Sequence, residues 1–510
     1  MHIETDTCIG CGFCVRDCPV GAVRLKDKKA LIDHETCCNC GVCFRVCEQN
    51  AVIRDAHPPA EAVECTACPI RCQIREGCLG ACQRYRNTDG RLVRIAPVHT
   101  FAQVQDVVGP EPEQAIRRPL ITGIGSGTTY PDCKPAPGIV YARQQGVDVV
   151  TVVTEAPLSY SSVMVKIDTD VPIGREGAAV LVGRAVVGQV ETEQYGSKML
   201  HIGGVNRLTG PDGFLVARTM VKLANKDKVR LKVHDGPRLQ LQVGTPPVID
   251  GRAITKMRVG CGSATLGIFA PVLLQAADEA VVLDSHITGL LSEHAAGRFA
   301  GARPSGVQLV FKQSTPGRYF GDHGQGWGGT SIENPAGVIR SIDMHTARPG
   351  MRILITETTG QNGAMFELGP GGELEPVPLP PSAENALKAI SETCEPSRVS
   401  ALYIGGAGGS ARAGVTAHPI KLTRSVHEHK AHLTVGGAPA YVLPGGGITF
   451  MVDVEKVTNG FFTWTPTPAT ICPLEYTMRR EEFEKIGGHV QAMQPFSASD
   501  PVRLPSREES

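Results

Sequence analysis

The 510-residue chain carries 51 basic and 51 acidic side chains, a balance that argues against a polyanionic partner such as nucleic acid and against an acidic solvating tail. At ~150 residues per domain it predicts about three domains. Fourteen of the 18 cysteines precede residue 83, so a metal-binding amino terminus is expected on an ordinary body. With no apolar leader after Met1 and no apolar run of ~18 residues, the expectation is a cytoplasmic protein without a membrane span, in a compartment where thiolates stay reduced.

The chain begins with two cysteine runs. "CIGCGFCVRDC" places Cys8, Cys11, Cys14 and Cys18 at the x2, x2, x3 spacing, followed by Pro19, and Cys37, Cys40, Cys43 and Cys47 repeat it. This spacing wraps three sulfurs around three corners of a cubane, and the fourth cysteine of each run crosses to the other cluster. One 4Fe-4S cluster is therefore assigned to Cys8, Cys11, Cys14 and Cys47, and a second to Cys37, Cys40, Cys43 and Cys18. Zinc normally takes two cysteine pairs rather than a triplet plus one, so zinc and disulfides are the weaker readings. Cys38 is extra, and Glu48 stands where proline is common.

A third cluster follows in "CTACPIRCQIREGCLGACQRYRNTDGRL". Cys65, Cys68, Cys72 and Cys82 are expected to share one further metal, with Cys78 as a substitute ligand; the spacing leaves zinc and iron-sulfur both open. No C-x3-C-x2-C motif follows, which disfavours a radical-SAM enzyme.

Two ferredoxin runs, then the stretch from Cys65 to Ile95, then a glycine-rich body of about four hundred residues: this order resembles the 6-hydroxynicotinate reductases. Most of the resemblance lies between Cys65 and Ile95. It implies electrons from reduced ferredoxin, iron-sulfur clusters, a flavin (FMN or FAD), and conversion of 6-hydroxynicotinate to 1,4,5,6-tetrahydro-6-oxonicotinate in nicotinate breakdown.

In the body, "PLITGIGSGTTYP", "KMRVGCGSATLG", "RILITETTGQNGA" and "SALYIGGAGGSARAG" each run from an apolar stretch into glycines or small hydroxyl residues. They read as strand, loop and helix, and "IFAPVLLQAADEAVVLD" reads as a helix returning into a strand. Loops of this kind can cradle phosphate, so Gly260, Gly262, Gly405, Gly406, Gly408 and Gly409 are the candidate flavin contacts, against a reading as tight structural turns. The first loop lacks the dinucleotide fingerprint's spacing. A β-rich part is expected at about 160–250, with a hairpin at Asp235-Gly236, and a packing helix in "MRREEFEKIGGHV". The predicted fold class is α+β and multidomain. A two-cluster ferredoxin-like module (1–58) and a cysteine knuckle (59–100) precede a glycine-rich mixed α/β body (101–510) with a β-rich subdomain.

Ring reduction needs a proton donor and an anchor for the substrate carboxylate. The loop "YFGDHGQGWGGTSIENP" gathers Asp322, His323, Gln325, Trp327 and Glu333, and Trp327 could stack on a planar ring. His323 is the first candidate for proton donor and Arg412 for anchor, with His286 and Asp322 as further catalytic candidates. His294 and Lys421 are weaker, and His427, His429 and His432 lack metalloprotease spacing. The expected partners are reduced ferredoxin and a small N-heteroaromatic acid, in a homo-oligomer. The competing readings are a non-catalytic electron-transfer subunit and a reductase of another cyclic or unsaturated acid.

Overall fold

The computed structural model describes residues 1–55, 61–123, 135–192, 198–311, 324–465 and 469–496. The chain divides into two compact units, one of residues 1–108 with 291–304, the other of 109–290 with 305–510.

In the first unit the two cysteine runs build the same small motif twice. Gly12 (φ 82°) and Gly41 (φ 78°) take the left-handed conformation that glycine adopts at least cost, and each launches a short helix, Phe13–Asp17 and Val42–Arg45. Antiparallel ladders close the motif: His2–Ile3 with Val52–Ile53, and Val23–Lys26 with Lys29–Ile32. Val23, Ala30, Ala51 and Val52 are buried beside Cys8, Cys14 and Cys43. The knuckle adds the ladders Val63–Glu64 with Gln73–Ile74 and Tyr85–Thr88 with Arg91–Arg94. It is not a separate core. Cys65, Cys72 and Ile74 are buried together with Cys38 and Cys40 of the second run, and the Gln73 amide donates to the Cys38 carbonyl at 2.9 Å.

The second unit is dominated by a long antiparallel sheet. Val147–Leu158 pairs with Gly138–Gln144 on one side and with Ala469–Arg479 on the other. The ladder continues through Ala431–Val435, Ala438–Val442, Ile448–Asp453 and Val399–Ala407 to Ser162–Ile167 and Lys198–Gly203. Alternate residues Val163, Val165 and Ile167 are buried, as the two-residue period of a strand requires. The helix Gly213–Ala224 turns Val216, Ala217, Met220 and Leu223 into the same core at helical spacing. The β-rich part is therefore larger than the 160–250 expected from sequence, because strands from 138–158 and 399–479 complete it. The hairpin at Asp235-Gly236 is present, between Val229–Val233 and Arg238–Leu241.

Between Arg252–Ala253 and Val399–Ala407 the chain builds an α/β part. Its sheet runs Gly289–Leu290, Glu279–Leu283, Arg352–Glu357, Gly363–Leu368, Leu374–Val377, with Glu279–Leu283 parallel to Arg352–Glu357. These two strands are buried along their length apart from Arg352, the signature of parallel strands covered on both faces. The helix Gly262–Ala276 leads into Glu279–Leu283 as expected. "RILITETTGQNGA", however, turns back into a hairpin strand and not into a helix. Among the described residues no helix is long and apolar enough to cross a membrane.

Candidate functional site

Cys8, Cys11, Cys14 and Cys47 line one apolar hollow of the first unit, with Ile3, Phe13 and Val52 in its wall. Cys47 is the member of this group that comes from the other run. Backbone amides point at the sulfurs: Ala30 to Cys8 at 3.4 Å, Ala51 to Cys47 at 3.3 Å, Ala22 to Cys18 at 3.2 Å and Asn39 to Cys37 at 3.4 Å. Such bonds stabilise the charge of thiolate-ligated clusters. In the second set, burial pushes the Cys43 thiol up to about 12, and the neighbouring Cys37, Cys40 and Cys18 add to it. Four sulfurs packed this way suit thiolate ligation of a positively charged metal core. Among the described residues no three His, Cys, Asp or Glu side chains converge on a point for a single ion. A cubane holds its sulfurs apart at the corners, whereas zinc draws all four to ~2.3 Å from one centre, so both sets fit cubanes.

In the knuckle, Cys65 and Cys72 are buried while Cys68 and Cys82 are exposed, and, as in the two runs, no three of them converge on a point for a single ion. Cys72 instead accepts from the Cys38 thiol, which lowers Cys72 to about 6. Cys38 was the one cysteine of the second run without an assigned role.

A cleft of about 170 Å³ opens in the second unit between the large sheet and the α/β part, more than ten times what one water needs. Its wall includes Asp170, Arg252, Lys256, Gln325, Glu357 and Gln361. Glu357 ends the strand Arg352–Glu357 and accepts from the Gly328 amide (2.9 Å), the Thr359 hydroxyl (2.7 Å) and the Asn362 amide (2.9 Å). Gly329 (φ 75°) passes so close to the Asp170 carbonyl that a Cβ there would overlap it, so only glycine lets this loop reach the wall. Burial pushes the Asp170 carboxyl above its usual range, with Lys198 pulling against it.

Buried polar groups of the same unit form a cluster. Arg258 donates to Asp284 at 3.0 Å and to His286 Nδ1 at 2.8 Å, and all three are almost fully buried, as is Lys198. Burial pushes the Asp284 carboxyl up, but Arg258 and His286 outweigh it and hold the group well below the usual carboxylate range. Burial lowers His286 to about 4, and Lys198 falls well below its ordinary value for the same reason, with Arg258 adding to it.

The candidates read from sequence fall in different places. Asp322 and His323 lie outside the described residues. The described end of their loop, 324–329, does reach the cleft, but Trp327 packs into the α/β core and does not line it. His286 belongs to the buried charge cluster and is not part of the cleft wall; with its protonation pushed down to about 4 it is neutral near pH 7 and poorly suited to donate a proton. Arg412 donates to the Thr423 hydroxyl at 2.7 Å and to the Gly408 carbonyl at 3.4 Å, away from the cleft residues. His294 caps the helix Ala295–Ala300.

Several of the glycine cradles are likewise occupied by the protein itself. The Gly262 amide donates to Asp284 at 3.3 Å, placing a carboxylate where a phosphate was expected. Gly260 lies just before the same helix, against Ala264. Gly405 and Gly406 are inside the strand Val399–Ala407, where a Cβ would overlap Phe450 and Tyr160. Gly408 and Gly409 open a helix of only five residues. Sequence reasoning passed over Asp170, Arg252, Lys256 and Glu357. The loop 352–364 had been singled out, but for its glycines and not for its carboxylate.

An amino-terminal unit built to hold two cubanes, joined to a body with a polar cleft, defines an iron-sulfur electron-transfer protein with a small-molecule site. Residues 7–51 match the family described as the 4Fe-4S dicluster domain. Over 98% of its length the chain is 49% identical to 6-hydroxynicotinate reductase of Eubacterium barkeri, covering 99% of that protein. No solved structure matches the chain significantly. The chain belongs to the 6-hydroxynicotinate reductase family and is an oxidoreductase.

Proposed function

We propose that the chain reduces the pyridone ring of 6-hydroxynicotinate to 1,4,5,6-tetrahydro-6-oxonicotinate with electrons from reduced ferredoxin, and that the ring binds in the cleft of Asp170, Arg252 and Glu357. The identity of 49% along nearly the whole of both chains carries this reading. The conversion adds two electrons and two protons. Arg252 is exposed on the cleft wall and makes no ion pair among the described residues; its fork suits the substrate carboxylate. Asp170, whose carboxyl burial raises above its usual range, is placed to deliver a proton to a ring carbon. Gln325 and Gln361 offer amide groups to the ring nitrogen and oxygen, and Glu357 holds the 324–329 loop through the Gly328 amide. When bound at the two cysteine sets, the clusters supply one-electron transfer at low potential, which loss of aromaticity calls for. The flavin implied by the family does not fit at Gly262, Gly405 or Gly406, where the protein's own groups fill the space, and no step is assigned to it.

The test is anaerobic turnover of 6-hydroxynicotinate with reduced methyl viologen, with the product read by mass spectrometry. A product heavier by two hydrogens supports the reading. Reduction of a related ring acid but not of 6-hydroxynicotinate would replace the substrate, and failure on all such acids would leave an electron-transfer subunit.

A further inference from the structure

The segment 291–304 groups with the first unit although it lies far along the chain. Its helix Ala295–Ala300 brings Phe299 beneath the Arg45 guanidinium, 4.1 Å from the ring centroid. Arg45 borders an open cleft of about 890 Å³ whose wall also includes Arg54, Arg298, Arg303 and Cys47. The four arginines are exposed. Among the described residues none of them makes an ion pair. The one acid in the wall, Asp17, is already held by Arg16 through two hydrogen bonds of 2.6 and 2.7 Å. The cleft therefore carries four unpaired positive charges, its one carboxylate being taken up by Arg16, in a chain whose total charge is balanced. A concentration of one sign in a concave site raises the local concentration of the opposite charge and speeds encounter.

We infer that this arginine-lined cleft is the docking site of the electron donor, a small acidic iron-sulfur protein whose surface carboxylates meet Arg45, Arg54, Arg298 and Arg303 beside Cys47. The inference rests on the electron supply proposed above and gives it a place. Cys47 is both a wall of the cleft and a ligand of the set formed with Cys8, Cys11 and Cys14, so a partner seated there stands next to a cluster site. Each encounter oxidises the carrier by one electron and reduces that cluster by one, and two encounters supply one ring. Exposed Phe44 in the same wall gives the contact an apolar component, as protein interfaces have and isolated phosphate sites lack.

The test uses the full-length protein with the charge-reversed variant Arg298→Glu/Arg303→Glu, which leaves every cysteine in place, and a reduced acidic two-cluster ferredoxin as probe. At low ionic strength KM for ferredoxin should rise at least tenfold, and affinity between the oxidised proteins, measured by calorimetry, should fall in parallel. The difference should shrink as salt shortens the Debye length. Viologen-driven turnover and iron content should stay within twofold of wild type. Lys228→Glu/Arg230→Glu, in a second cationic hollow that has no cysteine in its wall, should leave ferredoxin affinity within twofold. Unchanged affinity in the arginine variant, or an equal loss in the Lys228 and Arg230 control, overturns the inference. So does loss of flavin from the arginine variant, which would make the cleft a small-anion site. Affinity is read independently of turnover, so a wild type that binds ferredoxin but fails on 6-hydroxynicotinate refutes the proposed reaction and not the docking site.

Discussion

Replacing Arg258 with methionine removes one charge from a buried set and keeps most of the side chain's length. In the wild type Asp284 accepts from Arg258 at 3.0 Å and, through its other oxygen, from the Gly262 and Ile287 amides at 3.3 Å each. Without Arg258 the carboxylate keeps only the long amide bonds and His286 at 3.4 Å. Removing one partner of a buried ion pair costs about 3–5 kcal/mol. Lys198, whose proton affinity burial and Arg258 both lower, would regain part of it and take over some of the pairing, which points to the lower end. At ~2 °C per kcal/mol for a unit of this size, the loss is about 6–10 °C in Tm. The pH dependence reverses as well. With Arg258 present the folded-state pKa of Asp284 lies below its unfolded value, so its stabilisation is present above about pH 4 and is lost only as pH falls through the lower folded value. In the variant the folded value moves above the unfolded one, so stability should decline as pH rises from about 4. Differential scanning calorimetry from pH 4 to 8 measures both effects. Arg258→Met/Asp284→Asn, which leaves no unpaired charge, should recover most of the loss. A single variant within 1 kcal/mol of wild type, or a double variant no better than the single, would show that the Asp284 carboxylate does not depend on Arg258.

Cys47→Ser should remove the same cluster signal as Cys11→Ser, and Cys18→Ser the other, when reduced samples are compared by anaerobic EPR; a Cys47 variant matching Cys18 would mean the runs do not cross. Asp170→Asn should lower kcat by about 10²–10⁴ with little change in KM, and the fall in activity as pH rises through the raised Asp170 pKa should disappear from the pH profile. Arg252→Ala should mainly raise KM for 6-hydroxynicotinate, by ~10-fold or more, and equal loss from Arg412→Ala would return the anchor to Arg412.

What the sequence made legible was local. Three ligands of each cluster fall within seven residues, the fourth is supplied by the repeated run, and the glycines that start each helix sit inside those spacings. The hairpin at Asp235-Gly236 and the helix entering Glu279–Leu283 also follow from neighbouring residues. The large sheet does not. Thr151 and Thr477, whose hydroxyls meet at 3.0 Å, are 326 positions apart, and no periodicity in either strand names the other. The cleft was hidden for the same reason, since Asp170, Arg252 and Glu357 come from three separate stretches. The glycines misled because small residues serve two needs that look alike in sequence. Gly405 and Gly406 make room for Phe450 and Tyr160, which only the folded neighbours reveal. Arg412 looked available because its hydrogen-bond partner Thr423 lies on the next helix.

In the proposed reaction, electrons held at the amino-terminal cysteine sets leave through reduction of the pyridone ring. A single-turnover experiment tests it: clusters reduced anaerobically, excess reductant removed, 6-hydroxynicotinate added, and the reduced-cluster EPR signal followed by rapid freezing. The signal should decay on addition of substrate, with one tetrahydro-oxonicotinate formed per two electrons lost, and should persist when NADH or buffer is added instead. Clusters that stay reduced in the presence of 6-hydroxynicotinate while viologen-driven turnover proceeds would contradict the claim.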